Sequence, residues 1–128
     1  MLNSTKIKKI FSGFPAVKLV YFFGSRARND FGPLSDYDFA VYIEEANSKK
    51  RFNIKLDLFA ELSLLLKTDK VDIVILNDQI SPELKYNIIN EGKLIYEKEP
   101  YRVLVEPRVL NEYFDFHESL VRNGLTKK

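Results

Sequence analysis

The chain of 128 residues is 45% hydrophobic and 30% charged, a balance that is typical of one globular domain and excludes a largely disordered chain. Its 20 basic and 18 acidic side chains are too balanced to indicate nucleic-acid binding, and no apolar run approaches a membrane span of roughly 18 residues. With no cysteine and one histidine, disulfides, thiolate nucleophiles and Cys-based zinc sites are excluded. We therefore expect a cytoplasmic protein that binds neither nucleic acid nor membranes directly.

The first half of the chain alternates between apolar runs and turn-forming residues. Val17–Phe23 is apolar apart from Lys18 and is rich in β-branched and aromatic residues, which is typical of a strand buried on both faces. Gly24 and Ser25 then turn the chain. The predicted elements are, in order, a helix over 5–12, a strand over 17–23, a short helix over 25–29, a loop over 30–35 and a strand over 36–43.

The second half contains three further helices and two further strands. Ser81 is a good N-cap with Pro82 at the first helical position, and Pro107 is placed to open a last helix that Gly124 ends. The predicted elements are a helix over 50–67, a strand over 71–76, a helix over 82–91, an edge strand over 93–97 and a helix over 107–123. This alternation predicts an α/β (α+β) fold with a small mixed β-sheet flanked by helices, in a single domain over 1–128 with its core at about 15–98.

Two helices carry wide apolar stripes. Apolar side chains cover more than half of the circumference of the helix over 50–67, which suggests contact with the sheet plus a second apolar surface. The last helix presents Tyr113, Phe114 and His117 at helical spacing. We interpret most of these positions as core packing and His117 as a packed or interface histidine, while both stripes are candidates for contact with a partner protein.

Three aspartates lie on two predicted strands. Because side chains alternate along a strand, Asp36 and Asp38 share one face and lie about 6.5–7 Å apart. Asp72 lies inside the apolar run of the third strand. Taken singly, these residues are equally well explained as turn and strand-end caps. Together, their mutual repulsion favours a bound cation held by oxygen, which points to Mg²⁺ or Mn²⁺.

The pair Gly24-Ser25 makes a phosphate-binding turn the stronger interpretation. Gly24 has no Cβ and lets backbone approach a ligand, while Ser25 adds a hydroxyl and free N–H groups at a helix start. Arg26 and Arg28 are candidates for phosphate contacts, or else lie exposed on that helix start. Phosphates and carboxylates are both anionic, so a divalent metal is what lets them share a site.

The spacing of these residues resembles that of a known superfamily. Gly24-Ser25, ten residues and then Asp36-Tyr37-Asp38 match the G-S-x10-D-x-D signature of the polymerase-β-like nucleotidyltransferases, and Asp72 matches their third carboxylate. The chain looks like a minimal nucleotidyltransferase (MNT) over about residues 15–98. This branch commonly supplies the antitoxin of a HEPN/MNT toxin–antitoxin pair.

The resemblance implies a role for each of these residues. Gly24 and Ser25 would hold the β- and γ-phosphates of ATP. Asp36 and Asp38 would ligate two Mg²⁺ ions, with Mn²⁺ as a substitute. Asp72 would ligate the catalytic metal and help to deprotonate the acceptor hydroxyl.

The implied reaction is transfer of AMP from ATP to a hydroxyl, expected to be a tyrosine hydroxyl, of a HEPN-type ribonuclease toxin in a hetero-oligomer. Nucleotidyl transfer attacks the α-phosphate and releases pyrophosphate, so catalysis is mostly positioning and charge neutralisation. Two alternatives stay open. One is a small-molecule nucleotidyltransferase of the aminoglycoside-modifying type, and the other is a non-catalytic antitoxin that masks its partner.

Overall fold

The computed structural model describes residues 3–28, 32 and 35–124, so most of the predicted loop over 30–35 lies outside the described residues. Within them, four helices and four strands follow one another along the chain. In order they are α1 (Ser4–Ser12), β1 (Val17–Phe23), β2 (Tyr37–Ile43), α2 (Ser48–Leu66), β3 (Val71–Ile75), α3 (Pro82–Glu91), β4 (Lys93–Glu97) and α4 (Tyr101–Arg122). The predicted α/β architecture is confirmed.

The strands form one mixed sheet in the order β3-β2-β1-β4. β1 pairs antiparallel with both β2 and β4, whereas β2 and β3 run parallel. The register places Asp38 opposite Phe23 on one side and opposite Asp72 on the other. As predicted from its continuous apolar run, β1 lies inside the sheet, and β4 is an edge strand.

Helices cover both faces of the sheet. On one face a buried cluster joins α1 and α2 to the sheet through side chains such as Phe11, Phe39 and Leu58. On the other face α3 and α4 pack over Tyr21 and Ala40. Because side chains alternate along β2, Asp38 lies on the same face as Ala40, which is the α3–α4 side.

Helix α2 begins at Ser48, two residues earlier than predicted, because the side chain of Asn47 caps it by accepting from the backbone N–H groups of Lys49 and Lys50. Leu58 and Leu62 are fully buried against the sheet. Another part of its apolar surface stays exposed, as the sequence predicted. These exposed side chains are Phe52, Leu56, Phe59 and Leu64.

The predicted start of the last helix at Pro107 is wrong. Helix α4 begins at Tyr101 and contains Pro107 in its interior. Proline has no N–H to donate to the carbonyl four residues earlier, so its position costs stability. Tertiary contacts offset this cost, since Val105 is buried and the Tyr21 hydroxyl of β1 donates to the Glu106 carboxylate. Burial, together with that carboxylate, raises the pKa of Tyr21.

The chain that leaves β3 is fixed to the end of β2. The Asn77 side chain accepts from the backbone N–H of Ile43 at 3.0 Å and donates to the carbonyl of Ile43 at 2.7 Å. The next residue, Asp78, pairs with Arg51 of α2 at 2.8 Å. Arg51 also donates to the carbonyl of Glu45 at 2.7 Å. These contacts join β2, β3 and the start of α2 at one end of the sheet.

None of the helices in the described part of the chain is long and apolar enough to cross a membrane.

Candidate functional site

The predicted site residues gather at one end of the sheet. β1 ends at Phe23, whose register partner Asp38 lies near the start of β2, and Asp72 lies near the start of β3. Neighbouring strands lie about 4.8 Å apart. Asp38 is therefore flanked by Asp72 on one side and by the strand that leads into Gly24 on the other. Asp36 comes just before β2 and is exposed.

The Asp38 carboxylate occupies the space that a side chain at position 24 would need. Gly24 has a φ of +82°, which non-glycine residues rarely adopt, and a Cβ built on it would lie 2.1 Å from Asp38 Oδ2. The sequence led us to expect glycine there for the approach of a ligand. The structure adds a second reason, which is that this glycine makes room for a carboxylate of the neighbouring strand.

The short helix predicted over 25–29 is wrong for the residues that the structure describes, because 25–28 form a turn; Asn29 lies outside the described residues. The backbone N–H of Arg28 donates to the carbonyl of Gly24 at 3.2 Å. Ala27 is buried in the cluster shared with α1 and α2. The buried Ala27 thus holds the turn against the sheet, and the hydrogen bond from Arg28 to Gly24 closes it.

The two arginines of the turn have different surroundings. Arg26 Nε donates to the carbonyl of Ser35 at 3.0 Å, and its guanidinium lies 4.1 Å from the centre of the Tyr37 ring. Arg26 therefore joins the turn to the start of β2. Arg28 is exposed, and its positive charge partly opposes the rise in the pKa of Asp38. Sequence reasoning missed the contact between Arg26 and Tyr37. The Tyr37 ring is available for it because it lies on the face of β2 opposite Asp38.

Asp38 lies in a site that disfavours negative charge. Burial is the largest cause that raises its pKa, followed by the charges of Asp72 and Asp36, and Arg28 opposes them. The resulting pKa is about 6. At neutral pH the carboxylate is ionised at a cost in free energy, which a cation bound nearby would lower.

The side chains of residues 3–28, 32 and 35–124 include no group of three His, Cys, Asp or Glu placed to hold a metal ion together. The structure brings Asp38 and Asp72 into register and leaves Asp36 exposed before the strand. Oxygen-only donors and the raised pKa of Asp38 are in accord with a hard divalent cation. The assignment of the three aspartates as metal ligands stays a prediction.

A mixed sheet with a glycine turn at the end of a central strand, facing aspartates of two neighbouring strands, is the arrangement that the nucleotidyltransferase resemblance implies. Residues 5–101 match the family model described as "Polymerase beta, Nucleotidyltransferase". The chain belongs to this family.

One curated relative is the protein adenylyltransferase MntA of Aphanizomenon flos-aquae (strain 2012/KM1/D3), which is 33% identical over 96 residues. The match covers 70% of this chain and 63% of that protein, so the chain spans a little under two thirds of the length of that relative.

Solved structures share the fold. A toxin–antitoxin crystal structure with AMP-PNP gives a TM-score of 0.74 at 23% identity, covering 98% of this chain and 100% of that chain. A structure of the tri-AMPylated Shewanella oneidensis HEPN toxin in complex with MNT antitoxin gives 0.67 at 22% identity, covering 97% of each chain. At these identities the likeness establishes the fold of this chain.

We predict that Gly24→Ala is strongly destabilising, because alanine at this position strains the backbone and displaces the Asp38 carboxylate. The expected loss in the free energy of unfolding is about 2 kcal/mol or more, measured by urea denaturation. Gly32→Ala is the matched control, since among the described residues a Cβ there meets no atom within 4 Å. Adding Asp38→Ala should recover part of the loss, and equal losses in both backgrounds would contradict the clash with Asp38.

We predict that Asp38→Asn stabilises the fold at neutral pH. The raised pKa of about 6 means that ionised Asp38 costs stability, and this cost grows as pH rises from the ordinary value of 3.8 through 6. The gain should be about 1 kcal/mol at pH 7.5 after allowance for solvent screening, and smaller at pH 5. Thermal melting of both proteins at the two pH values measures it. Asp115→Asn on the exposed face of α4 is the control, and a pH-independent gain would argue against this cause.

Proposed function

We propose that this chain transfers AMP from ATP to a tyrosine hydroxyl of a HEPN ribonuclease toxin. It thereby acts as the antitoxin of that toxin. The observation that carries the proposal is the position of Asp38, between the Gly24 turn and Asp72 at one end of the sheet. The A. flos-aquae relative is a protein adenylyltransferase, and the S. oneidensis complex contains an AMPylated HEPN toxin. Both support the same reaction.

The turn after β1 binds the nucleotide in this proposal. Gly24 and Ser25 face the β- and γ-phosphates with backbone and hydroxyl groups, and the exposed Arg28 adds positive charge. Arg26 is already engaged with the Ser35 carbonyl and the Tyr37 ring. We therefore assign Arg26 to positioning the turn rather than to direct phosphate contact.

Asp36, Asp38 and Asp72 would hold two Mg²⁺ ions, for which Mn²⁺ would substitute. Burial and the repulsion by Asp72 and Asp36 raise the pKa of Asp38, and this supports the assignment, since a bound cation would offset the cost of the charged carboxylate. When bound, the metal neutralises charge on the triphosphate and on the leaving pyrophosphate. The closeness of Asp38 to Gly24 supports one shared ligand for the carboxylates and the phosphate-binding turn.

The reaction is a single displacement at phosphorus. The acceptor hydroxyl oxygen forms a bond to the α-phosphorus of ATP, and the bond from that phosphorus to the bridging oxygen of pyrophosphate breaks. Asp72, exposed at the start of β3, receives the proton of the hydroxyl. AMP stays on the acceptor, and pyrophosphate leaves with the bond electrons.

The function is tested by incubating the purified chain with its HEPN partner, ATP and Mg²⁺, and by measuring the intact mass of the partner. We expect a gain of one or more AMP units on a tyrosine. Asp36→Asn and Asp38→Asn should each lower the rate by about 100-fold or more, because each removes a charge from the site. Asp69→Asn, in the loop before β3, should keep the activity.

Other outcomes would overturn the proposal. Transfer of AMP to an aminoglycoside without any protein acceptor would identify a small-molecule enzyme. If a variant that lacks all three carboxylates still neutralised the toxin in cells, masking by contact would explain the antitoxin effect.

The positioning role of Arg26 makes a separate prediction. Arg26→Lys keeps the charge but loses the Nε–H that reaches Ser35 and the flat group above Tyr37. We expect Arg26→Lys and Arg26→Ala to lower kcat to a similar degree, roughly 10-fold, through a misplaced turn. Rescue of the KM for ATP by lysine would instead indicate direct phosphate binding. Arg108→Lys, on the exposed surface of α4, is the control.

A further inference from the structure

Helix α4 extends well beyond the core of the protein. Its buried residues, Val105 and Val109, lie in its first half, and neither core cluster of the described residues includes a residue of α4 after Val109. The rest of the helix, residues 110–122, which we call the arm, continues for about 20 Å. Phe114 on the arm is 56% exposed. The arm therefore presents a long helical surface that the described core does not cover.

Contacts with α3 hold the start of the arm in place. The Tyr86 ring of α3 stacks on the Tyr113 ring, with the ring centres 4.0 Å apart and the planes 13° apart. Beside this stack, Lys85 of α3 pairs with Glu112 at 3.4 Å. These contacts lie on one flank of the arm and leave Phe114 exposed. The arm is thus positioned before a partner binds, which reduces the entropy lost on binding.

A stripe of mostly apolar residues runs along the side of α4 that faces away from the core. At about 100° per residue, its members lie within an arc of about 80°, whose centre is about 140° from the direction of Val105 and Val109. Successive members are separated by four, three, four, three and four residues, the alternation by which two helices pack side by side in a coiled coil. We call this set the outer stripe, and its members are Val103, Pro107, Leu110, Phe114, His117 and Val121.

We propose that the outer stripe binds an amphipathic helix of the HEPN toxin. That helix carries apolar residues at the same alternating spacing, and it has Lys or Arg on the side that faces Glu118 and Asp115. Leu110 and Phe114 are the anchors, because they lie at the centre of the stripe, where a bound helix excludes water best. The identity of the partner as the toxin rests on the proposed function.

Charge complementarity favours a basic helix as the occupant. Glu118 borders the outer stripe, and Asp115 lies beyond it on the same flank; both are exposed. The arm has three acidic residues and one basic residue, Arg122. Lys85 of α3 balances Glu112, so the exposed flank keeps an excess of negative charge. A helix with Lys or Arg beside its apolar residues would neutralise that excess.

The same charges disfavour a second copy of this chain as the occupant. Two arms side by side would each bring an excess of negative charge to the contact. An antiparallel pair that placed Leu110 against Phe114 of the second copy would place Glu118 beside Leu104 of that copy, and leucine offers a carboxylate no opposite charge. A basic helix satisfies the apolar stripe and the acidic flank together.

The position of α4 connects this surface to the proposed site. Helix α4 packs on the face of the sheet that Ala40 and Asp38 share. A toxin bound to the arm is therefore held on the same side of the sheet as the Asp38 carboxylate. The outer stripe itself holds the partner and contacts no reacting atom. Changes to it should raise the KM for the toxin and leave kcat at saturating toxin unchanged.

The test measures the Kd of the purified chain for its HEPN partner without ATP, by isothermal titration calorimetry. Phe114→Ala and Leu110→Ala should each raise the Kd by about 10-fold or more, because each removes an anchor. Leu64→Ala, at an 80% exposed position of α2, is the matched control and should leave the Kd unchanged. Binding that is indifferent to both stripe variants, or equally weakened by the control, would overturn the proposal.

A second pair of variants tests the charge of the partner helix. Asp115→Lys/Glu118→Lys should raise the Kd by about 10-fold or more at low salt and flatten its rise with salt. Asp57→Lys/Glu61→Lys makes the same change of charge on exposed positions of α2 and should have little effect. Equal effects of the two double variants would contradict a local charge contact. A dimer of the chain alone that Phe114→Ala abolishes in analytical ultracentrifugation would identify a second copy as the occupant and overturn the proposal.

Failure of this docking surface and failure of the proposed function give different results. If AMP transfer occurs but Phe114→Ala and Leu110→Ala bind the toxin normally, the docking surface is wrong and the function stands. If both variants weaken binding but the unchanged chain transfers no AMP, the function is wrong and the docking surface stands. Asp38→Asn should lower kcat and leave the Kd without ATP unchanged, which separates the site from the arm.

Discussion

The site depends on the close approach of the Asp38 carboxylate to the backbone of Gly24. The Asp38 carboxylate is held partly buried beside other negative charges. It fits there because Gly24 has no Cβ and adopts a left-handed backbone conformation. The same glycine ends a central strand and turns the chain across the end of the sheet. One residue thus sets both the path of the turn and the place of the acid that faces it.

The surrounding structure holds this arrangement from two sides. Ala27 fastens the turn to the core that α1 and α2 cover, and Arg26 joins it to the start of β2. On the opposite face α4 is anchored through Tyr21 and Glu106. The apolar interior therefore fixes the backbone, while the charged groups lie at the exposed end of the sheet, where a ligand can reach them.

Much of this architecture could be predicted from the sequence, because strand alternation and turn residues are local signals. They predict that Asp38 shares a face with Ala40 and that β1 is a buried strand. The start of α4 was missed because the buried Val105 and the Glu106 contact act at long range and outweigh the local effect of Pro107. The turn after Gly24 was read as a helix, since propensity does not reveal the buried anchor that shapes it.

The side chain of Asn77 helps to keep Asp38 and Asp72 side by side. Its amide group meets both the N–H and the carbonyl of Ile43, as a strand residue would, and so it locks the far end of β2 to the chain leaving β3. If β3 slipped by one residue along β2, Asp72 would turn to the opposite face of the sheet. The Asn77 amide thus stabilises the register of β2 and β3. A neutral side chain at one end of the sheet supports the alignment of Asp38 and Asp72 at the other end.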